Sequence, residues 1–409
     1  MTRPVKISLF TISAIIVLAG IVVCVLRWKA WFGNQPEATY SVPAYPHNIV
    51  LTYGEKAVSS RIVSWRADTV VVPSELQLLR WREQDTVIYN AECSLVRSRA
   101  GKAAYYRVRL ESLAPGNYSY RCCNTDFCSE WYSFFVPDFS AKLRMQKFLV
   151  FGDVQDKKGP ASDAMFDQAF DKVTSLTTDL AGMVFVGDII ERPTDTFWQI
   201  FFSSMDDRTA EVPVIAATGN HEYLKGVKKV LDSRWTYVFG NPQNGPERFL
   251  EKSYFIDFPN SRFIVLDTDA LQLVSDYTVL QTWLRKVLAD RKSVWKIVVM
   301  HHPVYTAGKG RNNPNMYLAF SRILENADVV FSGHDHNYMR RTGKEGTPLY
   351  ILTTSSEKFY EPKDEIDADF HASNLRFYED MKIYADSIRI DTWNVETDSI
   401  YDTILLKKR

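Results

Sequence analysis

Six short apolar runs lie between residues 147 and 355: KFLVFGD, GMVFVGD, VPVIAATGN, KIVVMHH, ADVVFSGH and PLYILTTS. Apolar stretches of this length, without polar alternation, are the pattern of strands covered on both faces. Five of them stop at a residue able to hold a metal or move a proton. The first delivers Asp153, the second Asp188, the third Asn220 with His221, the fourth His301, and the fifth His334 with His336 two residues on. In open α/β folds ligands collect beyond the carboxyl ends of the strands. Carboxylates, an amide and imidazoles are thereby expected along one rim, and those donor types suit borderline divalent metals.

Between the runs, ASDAMFDQAFDKVTSL, DTFWQIFFSSM, TVLQTWLRKVL and NMYLAFSRILEN repeat apolar residues at the spacing of amphipathic helices. Strand and helix alternate, so residues 143–409 are read as one α/β domain. Its last stretch, YADSIRIDTWNVETDSIYDTILLKK, alternates apolar and polar around a turn and predicts a closing hairpin or meander.

The preceding segment has a different texture. From His47 to Pro137 the runs RIVSWRAD, ELQLLRW, YYRVRL, NYSYRC and WYSFFV alternate apolar and polar residues, the period of half-buried strands. An antiparallel all-β sandwich over 39–138 is expected. LESLAPGNYSYR resembles the end of a fibronectin type III domain, and Trp65 suits an early core strand. A Pro-containing link, Gln35 to Pro46, precedes the sandwich.

Residues Ile7 to Leu26 carry no charge, and an apolar helix of about 20 residues spans a bilayer. Residues 1–33 are therefore expected to form a transmembrane segment. Arg3 and Lys6 precede the run and Arg27 and Lys29 follow it, so charge orients it only weakly. Its length and the lack of a small-x-small site favour an uncleaved anchor; a cleaved signal peptide, giving a secreted protein, is the alternative. Either way the remainder is expected outside the cytoplasm, periplasmic or extracellular, where Cys93, Cys122, Cys123 and Cys128 could pair. Four thiols allow three connectivities and none is selected. Forty-nine basic and forty-nine acidic residues give no net charge, so no overall field recruits nucleic acid. Nothing in the sequence names a protein partner.

Taken in order, GD, GD-x-x-E-R, GNHE, H-x-P and GHxH resemble the calcineurin-like metallophosphoesterase superfamily. The layout is most similar to the purple acid phosphatases, with a fibronectin-like domain first, then HxPxY (His301-His302-Pro303-Val304-Tyr305) and GHxH continued by Asn337-Tyr338-Met339-Arg340. The resemblance implies an α/β/β/α sandwich and two divalent or mixed-valence metal ions, of Fe, Mn or Zn. Asp188 would bridge them, Asp153 and His336 would ligate the first, and Asn220, His301 and His334 the second. It also implies a phosphate-ester substrate attacked by a bridging hydroxide, with His221 protonating or hydrogen-bonding the leaving oxygen. The expected function is that of an exported, membrane-tethered phosphomonoesterase. The alternatives are a phosphodiesterase or nucleotide hydrolase using the same site, and a vestigial phosphatase domain acting as a cell-surface binding module.

Several positions depart from that family. Where the purple enzymes have a Tyr three residues after the bridging Asp, this chain has Glu191, followed by Arg192, and no purple colour is expected. Gln155 stands where the wider superfamily often has His, and is a candidate extra ligand. The loop TAGKGRNN offers Lys309 and Arg311 as phosphate contacts. His302, Glu222, Arg192 and Glu191 are expected to support the ligands by hydrogen bonding or to touch substrate, and His371 is a remote substrate candidate.

Overall fold

The computed structural model describes residues 3–81, 83, 85–138, 145–156, 160–174, 180–290, 294–343 and 348–408. The boundary expected at 138–143 falls largely outside the described residues. Among the described residues, two large sheets face one another, and a smaller one covers part of the first. The first has the parallel strands Gln146–Phe151, Leu180–Phe185 and Val214–Ala216 at its centre. The second is centred on Ser261–Leu266, Trp295–Met300, Val329–Ser332 and Leu349–Leu352, also parallel.

The apolar runs are continuous because both faces of these strands are covered. Phe148 and Val150 point between the sheets, against Phe263, Val265, Ile297 and Phe331. Their neighbours Leu149 and Phe151 point outward, against Phe166 of the helix Pro160–Thr174 and Trp198 and Phe201 of the helix Asp195–Met205. On the far side of the second sheet, Ile264, Val298 and Val330 pack on Leu280 and Leu284 of Val274–Ala289 and Phe320 of Pro314–Leu324. The α/β/β/α order follows from this packing. The closing meander forms as Phe377–Ile383, Ser387–Asn394 and Ser399–Lys407, all antiparallel, with the first of them docked on Gln146–Phe151.

The sandwich is present but not free-standing. Its strands Arg61–Arg66 and Gly101–Leu110 and their neighbours pack on the smaller sheet, whose strands include Ser74–Arg80 and Gly116–Asn124. Trp65 is buried and stacks on Tyr106 at 5.6 Å between centroids. However, strand His47–Tyr53 pairs in parallel with Val214–Ala216, register Thr52 to Val214, so one sheet of the sandwich continues the first sheet of the α/β unit. Periodicity cannot reveal this, because an edge strand and an internal strand alternate alike.

The apolar segment forms the helix Arg3–Phe32, of which Leu9–Phe32 is long and apolar enough to cross a membrane and is not buried against the rest of the chain. The link after it is not slack. Asn34 Nδ2 donates to the Lys225 carbonyl at 2.8 Å, and Asn34 Oδ1 accepts from Lys225 N at 2.9 Å. Glu37 Oε1 accepts from Arg234 Nη1 at 2.5 Å and from Asp195 N at 2.6 Å. Of the four cysteines of the sandwich, Cys123 pairs with Cys128, while Cys122 is buried and Cys93 exposed, both as thiols. Of the two pairs that four thiols can make only this one forms, and Cys93 and Cys122 are not joined.

Candidate metal centre

The rim expected from the strand ends is formed by both sheets. Asp153 and Asp188 follow strands of the first sheet, and Asn220 opens the short helical turn Asn220–Glu222 after a third. His301 directly follows Trp295–Met300, while His334 and His336 follow Val329–Ser332 in the second. A glycine precedes several of these residues for a steric reason. A Cβ on Gly219 would lie 2.2 Å from Asp188 Oδ1, and one on Gly333 would lie 2.3 Å from Asp153 Oδ2. Any side chain at either position would push into the carboxylates.

The donors converge in two groups. Asp188, His301 and His334 form one, and Asp153, Asp188 and His336 the other, with the ligand atoms of each group within 4.8 Å of one another. Asp188 is common to both. Its Oδ2 lies 3.2 Å from His301 Nε2, and its Oδ1 accepts from His221 N at 2.9 Å. Asn220 Oδ1 is 3.4 Å from His301 Nε2 and so belongs with the first group.

Outer hydrogen bonds decide which ring nitrogen faces inward. His301 Nδ1 is 3.1 Å from the Val186 carbonyl and His336 Nδ1 is 2.8 Å from that of Lys358. Each carbonyl accepts the Nδ1 proton, which turns Nε2 toward the carboxylates. On His336 that nitrogen carries a lone pair, whereas on His301 burial is outweighed by Asp188, which raises the ring to about 10 and keeps on Nε2 a proton that a cation would displace. His334 is turned the other way, with Nδ1 facing His301 Nε2 at 3.2 Å and Nε2 lying 2.9 Å from Arg311 Nη1.

The electrostatics of the bare site call for a cation. Asp153 and Asp188 are both buried. Burial pushes the Asp153 carboxyl up, His301 opposes this and the Asp188 charge adds to it, bringing it to about 8. Burial would raise Asp188 too, but His301 and His221 hold it well below the usual carboxylate range. Burial lowers His336 to about 3, with Lys358 adding to it, and it pushes His334 down as well, so both imidazoles are neutral and available as ligands. Gln155 Oε1 is buried with no hydrogen-bond partner among the described residues, while its Nε2 lies 3.1 Å from His336 Nε2. Two buried carboxylates sharing a site with neutral imidazoles fit a divalent cation.

The remaining expectations divide. Glu222 is buried and accepts from the backbone N–H groups of Gly219 at 2.6 Å, Asp188 at 3.1 Å, Ile189 at 2.8 Å and Ile190 at 3.2 Å, clamping the loop that carries Asp188. His221 Nδ1 is 2.5 Å from the Glu191 carbonyl, so Nε2 faces the cavity, and the Glu191 carboxylate stays 3.9 Å from the ring. The His302 ring lies tilted against that of His334, at 4.4 Å between centroids and 49° between planes, held by Thr268 Oγ1 at 2.9 Å. Arg311 reaches the cavity, whereas Lys309 is exposed and pairs with Glu361 at 3.1 Å. Arg192 is also exposed and bonds Gln35 of the link, and His371 is an exposed residue paired with Met339 at a sheet edge. These last three do not meet the donors.

The donors open into a cavity of about 480 Å³ whose wall includes Lys229, Lys358, Tyr360 and Trp31. Sequence reasoning missed all four. Lys358 and Tyr360 follow the sixth apolar run, which ends in no ligand, and the loop beyond its carboxyl end was the available signal. Tyr360 is wedged between the His336 ring, at 4.9 Å, and the Arg311 guanidinium, at 4.1 Å.

Residues 146–338 match the family of calcineurin-like phosphoesterases, and residues 46–135 match the purple acid phosphatase N-terminal domain. Purple acid phosphatase 21 of Arabidopsis thaliana is 26% identical over 250 residues, covering 58% of this chain and 53% of its own. Purple acid phosphatase 4 of the same plant is 25% identical over 178 residues, 39% of this chain and 52% of its own. The chain thus spans about half the length of these curated relatives. Among solved structures, the purple acid phosphatase PPD1 from yellow lupin seeds superposes with a TM-score of 0.71 at 17% identity, covering 90% of this chain and 75% of that one. The structure of PhoD gives 0.59 at 14% identity, with 89% of each chain covered. At these identities the likeness is one of fold.

Proposed function

We propose that this chain, whose residues 146–338 match the calcineurin-like phosphoesterases and whose residues 46–135 match the purple acid phosphatase N-terminal domain, is a metal-dependent phosphomonoesterase held in a membrane by its N-terminal helix. The observation that carries this reading is the sharing of Asp188 by two convergent donor groups. Asp153, Asp188 and His336 would hold one ion, and Asp188, Asn220, His301 and His334 the other. N and O donors without thiolate suit Fe, Mn or Zn. When bound, such a pair of ions supplies Lewis acidity and lowers the pKa of water to make a nucleophile near neutral pH.

The chain's own residues do the rest. Water adds to phosphorus, the bond from phosphorus to the ester oxygen breaks, and that oxygen takes up a proton to leave as an alcohol with inorganic phosphate. His221, its Nδ1 proton held by the Glu191 carbonyl, presents Nε2 to the leaving oxygen and, when protonated, donates to it. Lys229 and Lys358 supply positive charge around the phosphoryl oxygens. His334, whose Nδ1 faces His301, would hold a metal through that atom and keep its ring proton on Nε2. Arg311, now 2.9 Å from Nε2, would then be free to give its planar guanidinium to the phosphate.

The Cys123–Cys128 disulfide supports an oxidising compartment, hence a folded part outside the cytoplasm. The test of the activity is hydrolysis of p-nitrophenyl phosphate beside bis(p-nitrophenyl) phosphate by the purified full chain, with Fe(II), Mn, Zn or Mg added back. Turnover of the monoester in excess of the diester is expected. A folded, metal-loaded chain that cleaves neither would make the phosphatase unit vestigial and overturn the reading; faster cleavage of the diester would overturn the substrate class.

A further inference from the structure

The membrane helix ends at the mouth of the cavity. Its candidate span is 24 residues long, about 36 Å at about 1.5 Å per residue, against a hydrocarbon core of about 30 Å. The aromatic residues Trp28, Trp31 and Phe32 gather in the last turns, with Trp28 and Phe32 at 4.8 Å and Trp31 and Phe32 at 6.4 Å. Such a girdle settles at the boundary between hydrocarbon and headgroups. Trp31 is also part of the cavity wall that includes Asp188 and His334. Two residues beyond the helix, the paired hydrogen bonds of Asn34 with the Lys225 backbone hold this end against the body.

A second observation points the same way. Lys225 belongs to the hairpin Tyr223–Leu224 and Val230–Leu231, and Lys229 of that hairpin exchanges two 2.8 Å hydrogen bonds with Gln272. The two loops so joined expose aliphatic side chains: Val227 at 80% and Val274 at 84%, with Val230 and Leu273 beside them. Lys225, Lys228 and Lys229 are interspersed. Exposed aliphatics among lysines suit immersion in an anionic headgroup layer, and the Asn34 bonds put this surface next to the end of the transmembrane helix.

We infer that the cavity opens into the headgroup layer and that the substrate is a terminal phosphate monoester carried by a lipid of the same membrane. Hydrolysis would release inorganic phosphate and leave the lipid alcohol in the bilayer, with no oxidant or second substrate beyond water. The inference rests on the phosphoesterase reading and on the helix being retained. Confinement of enzyme and substrate to one surface raises their effective concentration.

The test uses the full chain reconstituted, with metals, in phosphatidylcholine vesicles containing phosphatidic acid, or in vesicles without it supplied with glycerol phosphate at the same total concentration. Lipid phosphate is expected to be released about tenfold faster or more. Two variants separate surface docking from chemistry: Val227→Asp with Val274→Asp, and a flexible insertion of about six Gly and Ser residues between Phe32 and Gly33. Each is expected to slow phosphatidic acid hydrolysis about tenfold and to leave glycerol phosphate hydrolysis unchanged. Release from glycerol phosphate but not from phosphatidic acid overturns this inference alone, as does an unaltered lipid rate in both variants. No release from either substrate by a metal-loaded chain overturns the phosphoesterase reading beneath it.

Discussion

Asp188 keeps a charge in a buried site because His301 and His221 hold it there: His301 faces it and His221 N donates to it, while Glu222 fixes its loop in place by gathering four backbone N–H groups. The neighbouring His221 has a different task. Its ring is fixed by the Glu191 carbonyl rather than by the donor groups, so its removal should spare the metals. His221→Ala is expected to retain wild-type metal content while kcat falls by about 10²- to 10⁴-fold. The loss should be greatest for alkyl phosphates, whose leaving oxygen needs a proton, and smallest for aryl phosphates. Equal losses across leaving groups, or loss of metal, would show that the ring is structural. At this scale the sequence was most legible, since Asp153, Asp188, Asn220, His301, His334 and His336 each end an apolar run. It was least legible for Lys309 and Arg192, whose proximity to a motif says nothing of where a long side chain finds its partner, Glu361 in one case and Gln35 in the other.

Strands positioned the donors legibly, because a run covered on both faces must stop where the chain leaves the core. What a run does not disclose is a titratable group inside it. Glu379 lies in the strand Phe377–Ile383, opposite Val150 and Thr392, and is fully buried. Burial pushes its carboxyl from 4.5 up to about 8. Between those values the folded chain holds a proton that the unfolded chain has released, so this group's contribution is complete below 4.5 and is lost as pH rises toward 8. Glu379→Gln, which is neutral throughout, escapes that loss. Thermal unfolding of both proteins from about pH 5 to about pH 8 should show the variant gaining on wild type by up to about 1.4 kcal/mol per pH unit. A constant difference across that range would show that Glu379 is ionised in the folded chain. The loop after the sixth run is the other lesson at this scale, since Lys358 and Tyr360 enter the site from a strand whose own end carries no ligand.

Over the whole molecule, the division into anchor, link, sandwich and α/β unit was legible from texture, but the connections between them were not. They depend on pairings distant in the sequence. Arg66 of the sandwich meets Asp195 at 2.5 Å, Asp195 meets Arg234 at 3.1 Å, and Arg234 meets Glu37 of the link at 2.5 Å, all buried. Removing one partner of such a network leaves an uncompensated buried charge, and the shared sheet joins the same units through the backbone. Calorimetry of the full chain should therefore show one cooperative transition for sandwich and α/β unit together; two separable transitions would contradict this coupling. The central claim is that the two halves of the α/β unit close around a pair of ions sharing Asp188. Metal content per chain, measured on the wild type and on Asp188→Asn purified alike, tests it most directly. Near two ions per wild-type chain, with most of them lost from a folded Asp188→Asn, is the result predicted; a variant that keeps its metal, or a wild type that binds none, would contradict the account.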